Sequence, residues 1–344
     1  MTDQPDLREF EALTENAELR RVVSDLQTKL RRSEAKTAEL IEAAHAGARD
    51  AALVLGNPPP VPAAKKTKGT KQEEAALLHL SDWQIGKRTD SYNTDIAQQR
   101  LDILTAKVAQ LTEIERADHP VRECHVLLGG DMVEGATIFP GQVFEIDSGL
   151  FRQAFAAVGA IERLIRAQLA TFETVHAWEV EGNHGRVGKR GDAAREDNAD
   201  LFVYREAWER LAEHVEAGRL VWHPRERWYQ IVEIGGYRAL LVHGDQIKQF
   251  GGNTPAFGIS RKVGAWASGV VPDFHDCYMG HFHQPLVLPI ANGGRTFVNP
   301  ALESDNVYAQ EFVAAQGVPG QRLHFVDPDR GRVTSERIVW LDES

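Results

Sequence analysis

Five short apolar runs along this chain each lead into side chains that carry oxygen or imidazole donors. LLHL runs into Ser81-Asp82-Trp83-Gln84, and HVLLGG into Gly130-Asp131-Met132-Val133-Glu134. VHAWEVEG ends at Gly182-Asn183-His184, YRALLVHG at His243-Gly244-Asp245, and CYMGHFH at Gly280-His281-Phe282-His283. Runs of this length are too short for buried helices and read as strands. Helical patterns occupy 94–116, 151–172 and 197–216, so strands alternate with helices and an α/β domain is expected. In such domains ligands gather at the carboxyl ends of strands. RTFVNPA, QRLHFV and RIVWL read as further strands, the last two divided by an Asp-Pro-Asp-Arg-Gly turn.

Singly, these residues mean little. An Asp after a strand is usually a turn or cap residue, and a lone strand histidine is usually a hydrogen-bonded core residue. His79, His125, His176 and His324 are assigned to that class. In this order, however, Asp, Asp, Asn, His and His-x-His supply enough donors for two divalent ions. Asp131 is the natural bridge, since a carboxylate can share its oxygens between cations. His281 and His283, at i and i+2, would project to the same side of an ideal strand. Gly130, Gly182 and Gly280 allow sharp bends beside the site. Glu134 reads equally well as a carboxylate behind the ligands or as a surface residue.

The set resembles the calcineurin-like metallophosphoesterases, whose pattern runs D-x-H, GD-x-x-(D/E/H), GNH-(D/E), H and GH-x-H. The matches span Asp82 to His283, and NGGRTFVNPA is similar to the family's terminal strand and Asn-Pro turn. The resemblance implies a four-layer α/β/β/α sandwich over residues 76–344. It also implies two metal sites. Asp82, Gln84, Asp131 and His283 would hold the first ion, and Asp131, Asn183, His243 and His281 the second. His184 would face the scissile phosphate without binding metal, and Asp131 and His184 are the residues on which catalysis would depend. The ions would be Mn²⁺ first, with Mg²⁺, Fe²⁺ or Zn²⁺ as alternatives. Together they would activate a bridging water for in-line attack.

The chain departs from the pattern twice. Gln84 stands where the family has His; an amide oxygen ligates more weakly and favours harder ions. Gly185 replaces the acidic residue after Asn-His, so His184 must be oriented from elsewhere, with Asp245 or Asp192 as candidates.

The substrate reading is a nuclease, specifically a DNA exonuclease. GDMVEGATIFPGQ is similar to a motif in the small exonuclease subunit of archaeal D-family DNA polymerases, and the layout is similar to SbcD-type repair exonucleases. Arg186, Lys189 and Arg190, with Arg195, lie in one glycine-rich stretch after His184, where they suit a phosphate backbone. Arg261 and Lys262 add charge nearby in sequence. Trp83, Phe139, Phe257 and Trp266 are candidates for stacking on bases. Two other readings stand beside it. One is a phosphoprotein or nucleotide phosphatase. The other is a catalytically weak structural subunit of a replication or repair complex.

Residues 1–53 are rich in Glu, Arg, Ala and Leu. Leu19, Leu26 and Leu40 keep a sevenfold spacing, with Val23 and Leu30 on the partner seam and Asn16 as a polar member. An α-helix is expected there, either a coiled coil or a single amphipathic helix. It would serve a homodimer or dock a replication or repair protein. Residues 54–75, with NPPPVPAAKKTKGTK, read as an extended linker. The 344 residues carry 39 Lys+Arg against 50 Asp+Glu, a net charge of −11. Residues 1–75 hold 12 basic against 13 acidic groups, leaving 27 against 37 for the remainder, so the acidity lies in the domain with the motifs. This disfavours a protein that coats nucleic acid through a broad basic surface. It does not exclude an enzyme whose bound cations supply local positive charge. There is no apolar run of membrane-spanning length, the acidic and polar start MTDQPDLREF argues against a secretory signal, and the two cysteines cannot build a disulfide framework or a thiolate zinc site. A cytoplasmic compartment, in a bacterium or a phage-infected cell, is expected.

Overall fold

The computed structural model describes residues 60–64, 71–188, 190–247, 255–303 and 317–342, together with Arg21, Val23, Ser24, Gln27, Thr28 and Arg31. Those six N-terminal residues are helical and exposed; the coiled-coil seam otherwise lies outside the described residues. The chain divides after Pro59, and residues 60–344 form the unit that carries every motif discussed above.

Two sheets face each other in that unit. The first has the order β11-β10-β1-β2-β3-β4. Its strands are β1 (Glu74–Leu80), β2 (Val121–Leu128), β3 (Thr174–Glu179), β4 (Leu220–His223), β10 (Gly320–Asp327) and β11 (Arg332–Trp340). Strands β1 to β4 run parallel, while β10 and β11 are antiparallel additions. The second sheet has the order β5-β6-β7-β9-β8. It comprises β5 (Gln230–Ile234), β6 (Tyr237–Leu241), β7 (Asp276–Met279), β8 (Val287–Pro289) and β9 (Arg295–Val298).

Period-two alternation assigns each strand residue to a layer. On β1, Ala76, Leu78 and Leu80 face a helical layer, whereas Ala75 and Leu77 face the other sheet. The helical layer is built from α1 (Thr94–Glu115), α2 (Leu150–Thr171) and α3 (Ala199–Arg210), followed by the short α4 (Ala212–Glu216). On β6, Ala239 and Leu241 join the core between the sheets, and Leu240 packs outward. That outer face is covered by α5 (Ala256–Ala265), through Ile259 and Val263, with Trp266 following. Helices, sheet, sheet and helix make the four layers expected.

The helices begin within about two residues of their predicted starts. Asn93 caps α1 by accepting from Ile96 N, and Asn198 caps α3 by accepting from Asp200 N. The stretch 197–216 divides at Leu211 into two helices. The domain also begins earlier than residue 76: β1 starts at Glu74, and Val61, inside the predicted linker, packs against the helical core.

Candidate active site

The parallel strands of both sheets deliver their terminal residues to one cleft. Asp82 and Gln84 follow β1, Asp131 follows β2, and Asn183 and His184 follow β3. From the second sheet, His243 follows β6, and His281 and His283 follow β7. Asp82, Gln84, Asp131 and His243 are at most 1% exposed.

The backbone is unusual at these positions. Among the described residues, the non-glycine residues with positive φ are Asp82 (55°), Gln84 (44°), Asp131 (55°), His281 (69°) and His283 (55°). All five are predicted metal ligands. A left-handed conformation costs an L-residue free energy and persists only where the surroundings impose it. At His281 and His283 it makes an irregular turn just beyond the strand that ends at Met279. The glycines play a role other than bending alone. Gly130 does take φ 88°. At Gly182 and Gly280, however, a Cβ would overlap the carboxylates of Asp131 and Asp82. Those two are glycine so that the acids can lie flat against neighbouring backbone.

Hydrogen bonds hold the donors in place. Asp131 Oδ1 accepts from His184 N at 2.7 Å, and Asp131 Oδ2 lies 3.0 Å from His243 Nε2. His243 Nε2 is also 3.2 Å from Asn183 Oδ1, while its Nδ1 lies 2.9 Å from Gly129 O. The ligating atoms of Asp131, His243 and His281 lie within 4.8 Å of one another. Asp82 accepts from His281 N at 2.9 Å and from Ser81 Oγ at 2.6 Å, and its Oδ1 is 3.3 Å from His283 Nε2.

Electrostatics follow from this burial. Burial alone would raise the Asp131 carboxyl, but His243 and His184 outweigh it and hold Asp131 well below the usual carboxylate range. Burial likewise opposes a proton on His243 and His283, yet the facing Asp131 and Asp82 push both up to about 10. His281 is lowered to about 4 by burial and by the charge on His243. Imidazoles that hold protons only because carboxylates face them are a donor set that a divalent cation can take over, with release of those protons. Asp131, Asn183, His243 and His281 fit such an ion in donor type, number and spacing.

The structure answers the question of what orients His184. Glu134 does so: His184 Nδ1 lies 2.9 Å from Glu134 O and 3.2 Å from Glu134 Oε2. Glu134 is buried, not a surface residue, and Gln142 Nε2 donates to both its backbone O and its Oε1. Asp245 instead pairs with Arg186 and lies 3.9 Å from Arg190, and Asp192 lies beside Gly188. Burial opposes a proton on His184, but Asp131 and Glu134 push it up to about 9.

Two buried carboxylates beside the site carry no motif in the sequence. Asp200, in the first turn of α3, accepts from Asp131 N (2.8 Å), Met132 N (3.0 Å) and Gly182 N (2.9 Å), tying two ligand loops together. Burial and the Asp131 charge push its carboxyl up to about 6. Glu303 lies 2.8 Å from His283 Nδ1 and pairs with Lys87. Asp200 follows an Asn N-cap and Glu303 follows Asn-Pro-Ala-Leu, contexts common to many unremarkable turns.

Arg186 and Arg190 line a cavity of about 160 Å³ with Arg195, Glu181, Asp197 and Asp245. Arg195 and Arg225 both pair with Glu181, so this rim mixes charges. Lys189 lies outside the described residues. Of the four aromatic candidates, Trp83 and Trp266 are core residues at 0% and 3% exposure and cannot stack on a base, whereas Phe139 and Phe257 are exposed. No described helix is long and apolar enough to cross a membrane.

No protein-family profile matches the chain, and no curated protein matches it in sequence. Among solved structures, it is similar to Zn²⁺-bound Vps29 from Entamoeba histolytica: 12% identity, 78% of this chain, 99% of that chain, TM-score 0.31. It is also similar to a predicted phosphoesterase from Streptococcus pneumoniae: 12% identity, 78% and 99% coverage, TM-score 0.30. A purple acid phosphatase from yellow lupin matches at 10% identity over 80% of this chain and 55% of that one, TM-score 0.33. Likeness of this degree carries no argument about activity, which rests on the site itself.

Proposed function

We propose that this chain is a metal-dependent phosphoesterase of the calcineurin-like type, cleaving phosphodiesters in DNA. One observation carries the reading: the donors from five separate strand ends converge in one cleft, and five of the donor residues are held in left-handed backbone. Strain of that kind concentrated on chemically matched side chains is the mark of a functional centre.

Asp131, Asn183, His243 and His281 would hold a divalent ion, which would supply Lewis acidity and a water of lowered pKa. The chain's own residues do the rest. Glu134 fixes the His184 ring through Nδ1, so Nε2 is the edge left for a substrate, with Gln84 Nε2 as its neighbour at 3.4 Å. A proton at Nε2 is placed for transfer to the leaving oxygen. The DNA assignment draws on Arg186 and Arg190 at the rim, on exposed Phe139 and Phe144, and on the Phe-Pro-Gly-Gln segment, whose Gln142 holds Glu134.

The test is cleavage of end-labelled single- and double-stranded DNA with Mn²⁺, with Asp131→Ala as control. The expected result is a product ladder from the native chain and none from the variant, with equal far-ultraviolet circular dichroism. Turnover of simple phosphomonoesters without cleavage of DNA would transfer the assignment to a phosphatase. Inertness towards both would reject hydrolysis.

A further inference from the structure

The two halves of the ligand set are built differently, and the difference turns on Lys87. This inference rests on the metal-dependent reading above. Lys87 lies three residues beyond Gln84 and is 8% exposed. Its Nζ pairs with Glu303 and lies 3.3 Å from Gln84 Oε1. An ammonium only donates hydrogen bonds, so the amide oxygen of Gln84 must face Lys87. Its NH₂ group therefore faces the cleft, 3.4 Å from His184 Nε2. The edge of Gln84 turned toward the substrate side thus carries donors, which cannot ligate a cation. A divalent ion reaching the remaining lone pair of that oxygen would meet a buried ammonium beside it.

The second first-site residue, His283, is drawn into the same arrangement. Glu303 sits between His283 Nδ1 and Lys87. The Lys87 ammonium is thus held between the Glu303 carboxylate and the Gln84 amide oxygen. By contrast, Asp131, His243 and His281 already bring their donor atoms within 4.8 Å of each other, with Asn183 Oδ1 3.2 Å from His243 Nε2.

We propose that the chain holds one divalent ion, at Asp131, Asn183, His243 and His281, and that Lys87 with Gln84 stands in for the second cation. Lys87 is a positioning residue: it supplies fixed positive charge and turns the Gln84 N–H groups toward a phosphate oxygen. The sequence pattern implies two ions; the orientation of Gln84 implies one.

The experiment counts metal. The full chain is stripped with chelator, reloaded with Mn²⁺, gel-filtered, and measured by plasma mass spectrometry and electron paramagnetic resonance. One equivalent per chain with a six-line mononuclear spectrum is expected. Gln84→His alone should stay at one, because Lys87 remains. Gln84→His combined with Lys87→Met and Glu303→Gln, which keeps a partner for His283, should rise to two with an exchange-coupled spectrum. Two equivalents and coupling in the native chain would overturn the inference while leaving the phosphoesterase reading intact. One equivalent in a folded triple variant would overturn the role given to Lys87. No uptake by the native chain would reject the metal-dependent reading itself.

Discussion

His184 touches the backbone and carboxylate of Glu134 through Nδ1, and this contact sets which nitrogen faces a substrate. If Nε2 protonates the leaving oxygen, His184→Asn should lower kcat by about 10²–10⁴-fold on a DNA diester. It should lower it far less on a 4-nitrophenyl ester, whose leaving group needs no proton. Steady-state kinetics on both, at equal metal content, check this; equal losses would assign His184 to binding instead. At this scale the gathering of Asp82, Asp131, Asn183, His243, His281 and His283 at neighbouring strand ends was readable, because their order along the chain is rarely met by chance. Glu134 was half readable, since its place after Gly-Asp is shared by surface residues. Glu303 and Asp200 were not. Their importance comes from neighbours 20 and 69 positions away, His283 and Asp131, which no local spacing encodes.

Strands and helices position these side chains through their ends. The N-terminus of α3 presents Asp200 to three backbone N–H groups of the β2 and β3 loops. Replacing it with Asn puts a donor against donors. Asp200→Asn should therefore cost about 1–3 kcal/mol of stability for each donor left unpaired and weaken metal binding about 10–100-fold. Urea unfolding and calorimetric Mn²⁺ titration measure the two effects; unchanged metal affinity would reduce Asp200 to a stability role. The elements missed from the sequence were β4, β5 and β8, and all three are edge strands. An edge strand packs against fewer neighbours, so its apolar pattern is thin: LVWH, QIVEI and VLP give little periodicity. The central strands β1, β2 and β7 are buried at most or all positions and announced themselves as apolar runs. Trp83 and Trp266 misled for a related reason: aromatic residues beside a motif look the same in sequence whether they face solvent or core.

Across the molecule, fully and partly buried histidines outside the candidate ligand set impose a pH limit on the fold. His79 is fully buried edge-on to Tyr278, with ring centroids 5.5 Å apart. Burial, followed by the Arg322 charge, lowers it to about 3. His176 and His223 are lowered to about 4, chiefly by burial and then by His125. Each stays neutral in the fold while the unfolded chain takes up a proton near pH 6.5. Below that pH the unfolded state binds more protons, so stability falls as pH drops from 6.5 toward the folded values. For His79 the slope is about 1.4 kcal/mol per pH unit. His79→Leu should flatten the loss between pH 6.5 and 4 by about that slope, measured by urea unfolding at several pH values. An unchanged slope would mean that other groups carry the acid sensitivity.

The cleft lies across the seam between the sheets. Asp82, Gln84, Asp131, Asn183 and His184 come from one side, and His243, His281 and His283 from the other. A backbone cut between β4 and β5 would part the two donor groups, and it would also part β1 from its partner β10. Neither fragment would own a whole centre, and turnover would return only when the pieces zipped back along β1 and β10. The hydrolysis proposed for this chain would thus be a coincidence detector: it would count molecules in which both sheets are formed and docked, not molecules in which either has merely folded.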